Sequence, residues 1–131
     1  MNRPSAVTPS GLVGSGPVPL PVCLERLREH FRQVYKFNED QVESMLRSAS
    51  QSLQKCFASA DQALASDDLC SALAPVAHSL NGLLLNLGEG DWATLARDIE
   101  LAATAGRAYE YAEVIARMRQ GMSAATDYGG R

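Results

Sequence analysis

Between Asn38 and about residue 65, apolar side chains recur every three or four positions with almost no break. The series is Val42, Met45, Leu46, Ala49, Leu53, Cys56, Phe57, Ala60 and Leu64. That period is one face of an α-helix. Asn38 stands where an N-cap belongs, and Gln41, three residues on, is its reciprocal partner. A helix this long must bury its stripe against other helices, and the rest of the chain supplies them. From Pro21 onward no strand-like alternation of useful length occurs.

Four further helices are predicted. The first, about 22–36, carries Leu24, Leu27, Phe31, Val34 and Tyr35. Ser66-Asp67-Asp68 caps the third, whose stripe is Leu69, Leu73, Val76, Leu80, Leu84 and Leu87 and which ends before Gly88. Asp91 is expected to cap the fourth, with Trp92, Leu95, Ala96, Ile99 and Ala103 inward and Gly106 closing it in a left-handed conformation. A fifth, about 107–122, offers Tyr111, Val114, Ile115 and Met118. Pro75 falls inside the third helix, where it removes a backbone hydrogen bond and is expected to kink the turn before residue 78. The alternative is a later start, with Ser71 as the cap. Loops of two to four residues favour antiparallel neighbours. The fold expected is all-α: an antiparallel up-down-up-down four-helix bundle with an additional N-terminal helix across one end.

The bundle is expected over residues 21–124. Five of the six prolines fall at or before Pro21, among Gly11, Gly14 and Gly16. Residues 1–20 therefore read as a disordered Pro/Gly-rich tail or linker, and 125–131 as a frayed C-terminus.

Composition narrows the function classes. With 131 residues, 46% hydrophobic and 21% charged, the chain reads as one ordinary globular domain. A net charge of −3, with scattered basic residues, argues against nucleic acid. Arg26, Arg28 and Arg32 read as a solvated face, and His30 among them as solvated too. No apolar run reaches the ~20 residues a membrane span needs, so no membrane is expected. An N-terminal apolar segment with a small-residue cleavage site is missing, so no signal peptide is expected. Cys23, Cys56 and Cys70 form no C-x-x-C pair, which suits a reducing cytoplasm. Two histidines with no Cys or His at ligand spacing give no metal site. Asp67/Asp68 and Glu39/Asp40 sit at helix starts, where the macrodipole favours them, and read as caps. Gly88-Glu89-Gly90 is a turn, too short to cradle a phosphate.

One residue breaks the pattern. At 100° per residue, His78 points roughly 160° from the centre of the third helix's stripe. Ala74, Asn81, Gly82 and Leu85 share that outer face. An imidazole on a helix surface beside a glycine and apolar neighbours is suited to meet something large.

The run Ala77-His78-Ser79-Leu80-Asn81-Gly82, continuing through Leu83-Leu84-Leu85-Asn86-Leu87-Gly88, resembles the signature of histidine-containing phosphotransfer (HPt) domains, A-H-x-L-K-G followed by an apolar stretch ending in L-G. Asp67-Asp68-Leu69 upstream, and Trp92, Leu95, Ala96, Ile99 and Glu100 downstream, extend the likeness over about 38–122. The resemblance implies a phosphoryl carrier in a two-component relay, not an enzyme acting alone. His78 would accept a phosphoryl group from a receiver-domain aspartate and pass it to another receiver. Asn81 and Gly82 would lie by the phosphoryl group, with Ala74 and Leu85 in the docking patch. Gly82 would leave room that any side chain would fill. Partners would be a response-regulator receiver domain or a hybrid histidine kinase, which bring the metal and remaining catalytic groups, so no cofactor is expected here. Asn81 departs from the family's lysine: it brings no positive charge, which implies weaker stabilisation of phosphohistidine or a cation elsewhere. Two other readings remain open. One is a non-phosphorylated HPt-like scaffold or inhibitor that binds a receiver or histidine kinase. The other is a helical oligomerisation domain, although a monomer is the default expectation.

Overall fold

The structure, a computed structural model, describes residues 18–128; residues 1–17 of the tail expected over 1–20 and the last three residues lie outside that range, while at its end the Leu20 carbonyl is tied to the fold, accepting from Trp92 Nε1 at 2.8 Å. The described residues are helical with no strand: α1 Leu24–Val34, α2 Glu39–Leu64, α3 Leu69–Asn86, α4 Gly90–Thr104, α5 Tyr111–Gly121 and a short α6 Ser123–Thr126. None of these helices is long and apolar enough to cross a membrane.

Local chemistry accounts for most boundaries. The Asn38 side chain accepts from Gln41 N at 2.8 Å and Gln41 Oε1 accepts from Asn38 N at 2.9 Å, the expected capping box. Asp68, rather than Ser71, caps α3 by accepting from Ser71 N. The helix then runs through Pro75 without a break. Gly88 (φ +76°) and Gly106 (φ +68°) end α3 and α4 in the left-handed region. Two boundaries differ from expectation. Asp91 does not cap α4: Gly88 turns the chain so sharply that α4 opens at Gly90, with Glu89 at the cap position and Asp91 within the first turn. Residues 107–110 are not helical, because the Arg107 carbonyl accepts from the Tyr111 hydroxyl at 2.7 Å instead of joining a helical ladder.

The core is one cluster drawn from all six helices. Within it α3 packs most extensively on α4 and also on α2, which in turn meets α1, α5 and α6. On α2 the predicted stripe is buried at Val42, Leu46, Ala49, Leu53, Phe57 and Ala60, and half-buried at Met45, Cys56 and Leu64. On α3 the buried face includes Ala77, which the leucine count missed, while Val76 and Leu69 are half-buried. Burial pushes the Cys56 thiol up, and all three cysteines are free.

α1 is bound more tightly than its sequence suggests. Leu27 and Phe31 are fully buried, worth about 2–3 kcal/mol each. Its arginines lie at the surface, as expected, but each is paired with a carboxylate of another element. Arg26 makes a two-pronged pair with the buried Glu89 carboxylate, at 3.0 and 2.8 Å. Arg28 reaches Glu43 and Arg32 reaches Glu39. His30 is not solvated. Its Nε2 lies 3.1 Å from the Asn86 carbonyl, and its ring covers Gly88, where an added Cβ would meet the imidazole at 2.4 Å. Tyr35 also donates to the Asn86 carbonyl. The α3–α4 junction is thus held by α1.

The C-terminal residues do not fray at 125. Ala125 is buried, the Thr126 carbonyl accepts from Ser50 and Gln54, and the Tyr128 hydroxyl donates to Glu43.

Candidate functional site

His78 lies on α3 where that helix packs on α4, and its side chain is 69% exposed. Its backbone is fixed by core neighbours on either side, Ala77 and Leu80, both fully buried. An outward ring on a rigid helix is what periodicity predicted.

One contact orients the ring. His78 Nδ1 lies 2.9 Å from Glu100 Oε2, and Glu100 is four-fifths buried (19% exposed) on α4. A carboxylate can only accept, so this hydrogen bond places the proton on Nδ1. In the neutral ring, Nε2 then keeps its lone pair and is the nitrogen offered to solvent. The second carboxylate oxygen, Oε1, is buried without a hydrogen-bond partner; Arg97 Nη1 approaches it at 3.8 Å.

The other expected site residues divide. Gly82 is exposed, and a Cβ built on it would meet nothing within 4 Å. Leu85 is 57% exposed. Ala74 is half-buried against the core, so only part of it faces outward. Asn81 turns towards α4: its Nδ2 donates to the Ala93 carbonyl at 2.8 Å, and the residue is half-buried. Its amide is therefore engaged in holding α3 to α4.

Gly82 is informative by contrast with Gly88 and Gly121, whose Cβ positions collide with His30 and Trp92. Those two glycines are required by packing. Gly82 has an ordinary helical φ and open space, so nothing inside the described fold requires it. A glycine inside a helix costs about 1 kcal/mol relative to alanine.

Sequence reasoning gave Glu100 no role and passed over Arg97. A signal was present. His78 and Glu100 stand equally far along the chain from Glu89, and two packed helices joined by so short a turn bring such positions together. Among the described residues no group of three or more His, Cys, Asp or Glu could hold a metal ion.

No protein family, curated protein or solved structure matches this chain.

Proposed function

We propose that this chain is a histidine phosphotransfer module of the HPt kind, an up-down-up-down bundle of α2 to α5 with α1 across one end. The observation that carries the reading is an exposed imidazole with Nδ1 held by a carboxylate and Nε2 free, beside a glycine that the fold itself does not need. Bulk at position 82 would obstruct only something arriving from outside. The HPt-like run Ala77–Gly88 and the short connections between helices support the same reading.

The transfer follows from that arrangement. The Nε2 lone pair attacks phosphorus on a receiver's aspartyl phosphate. As the Nε2–P bond forms, the P–O bond breaks and its electron pair returns to the aspartate carboxylate. The Nδ1 proton stays on the ring, which becomes an N-phosphoryl imidazolium, and the Glu100 carboxylate stabilises the positive charge as it develops. Phosphoryl transfer needs chiefly such positioning and charge complementarity. Passing the group to a second receiver runs the same steps in reverse.

A second reading is favoured by Asn81, which is uncharged and bonded to Ala93 O. In that reading the chain binds a receiver or histidine kinase as a scaffold or inhibitor and takes no phosphoryl group. Incubation with a radiolabelled phospho-receiver separates the two. Transfer predicts acid-labile, base-stable label on the chain, lost in His78→Gln. A scaffold predicts binding with the label left on the receiver.

A further inference from the structure

The phosphoacceptor face holds a cation that the transfer as described does not use. Ala93, Arg97 and Glu100 stand at i, i+4 and i+7 on one face of α4. The outer two touch the His78 strip of α3: the Ala93 carbonyl accepts from Asn81, and the Glu100 carboxylate meets the imidazole. Arg97 stands between them on that face. Its Nη1 is 3.8 Å from the oxygen of Glu100 that His78 does not use.

That ion pair is loose. A separation of 3.8 Å exceeds a hydrogen bond, and Arg97 is 55% exposed. The arginine end is exposed and at 3.8 Å makes no hydrogen bond to Oε1, so the guanidinium gives up none on turning away, while the Glu100 carboxylate keeps its hydrogen bond to His78. Asn81 cannot take a cation's part, because it carries no charge and its Nδ2 already donates to Ala93 O.

We infer that Arg97 is the cation that receives the phosphoryl oxygens on His78, replacing from α4 the charge that Asn81 does not supply from α3. This rests on the phosphotransfer reading. When the Nε2–P bond forms, Arg97 turns from Glu100 Oε1 to two phosphoryl oxygens, gaining hydrogen bonds it lacks at Glu100, with no further covalent change. The planar fork of a guanidinium suits two such oxygens better than an ammonium does. Glu100 remains on Nδ1, so the two α4 side chains share the work: one charge against the ring, the other against the phosphoryl group.

The test uses phosphoramidate, a small donor that needs no receiver, on the full chain. Intact mass at neutral pH follows both uptake and loss of the phosphoryl group after donor removal. Wild type should gain one group and His78→Gln none. Arg97→Gln should still be labelled at His78, but about tenfold more slowly and with a correspondingly shorter-lived product, its melting curve unchanged. Arg97→Lys should keep most of the effect, and adding Asn81→Lys to Arg97→Gln should restore it. If wild type takes no phosphoryl group, both the transfer reading and the role of Arg97 fall. If wild type is labelled and Arg97→Gln matches it in both rates, only the role of Arg97 falls. It falls equally if the Arg97→Gln defect persists in the presence of Asn81→Lys.

Discussion

At the scale of single residues, phosphoryl uptake depends on what Glu100 does to His78. A lost hydrogen bond to a charged group costs about 1.5–3 kcal/mol, and each 1.36 kcal/mol is tenfold in rate. Glu100→Ala should therefore slow phosphoryl uptake about ten- to hundredfold. Glu100→Gln should fall between wild type and Glu100→Ala, since an amide oxygen can still accept from Nδ1–H but sets no charge against the imidazolium; uptake from a phospho-receiver, timed by quench, measures both. Gly82 gives an opposed pair of effects. Gly82→Ala adds a methyl that meets nothing in the described fold, so it should stabilise the free chain by about 1 kcal/mol and raise Tm by roughly 4 °C. The same variant should bind a receiver less tightly. A fall in Tm would show that the glycine serves the fold after all.

At the scale of elements, helix positions were legible because their causes are local. Asn38 and Gln41 cap α2 as a reciprocal pair, and Gly88 and Gly106 end α3 and α4. What sequence could not supply was pairing between elements. Arg26 and His30 looked solvated because their partners, Glu89 and the Asn86 carbonyl, lie about sixty residues away. Asp91 looked like a cap because nothing local marks Gly90 as the first residue of α4. Gly88→Ala tests the α1 junction: a positive φ and a collision with the His30 ring should together destabilise the chain by about 2–3 kcal/mol, read by urea unfolding. If the ring is the obstacle, His30→Ala should recover part of that loss.

At the scale of the whole molecule, the acid limb of stability follows from two carboxylates that fasten elements together. The Arg32 guanidinium holds the Glu39 carboxyl below its ordinary 4.5. The Tyr128 hydroxyl, and after it Arg28, do the same for Glu43. A pKa that is lower folded than unfolded contributes stability above the unfolded value, and that stability is lost as pH falls through the folded one. Tm of the wild type should therefore fall more steeply below about pH 4.5 than Tm of Glu39→Gln/Glu43→Gln; parallel curves would contradict this. The candidate site was legible in outline, since periodicity alone turned His78 outward. Glu100 and Arg97 were not, because their part is set by the way α4 lies on α3. Nuclear magnetic resonance of the chain after exposure to a phosphorylated receiver reads which atom carries the phosphoryl group. Phosphorus-31 and nitrogen-15 spectra should show one phosphoryl group, bonded to Nε2 of His78, with Nδ1 still protonated. No phosphoramidate signal, or one on His30 or on Nδ1 of His78, would contradict transfer to Nε2 of His78.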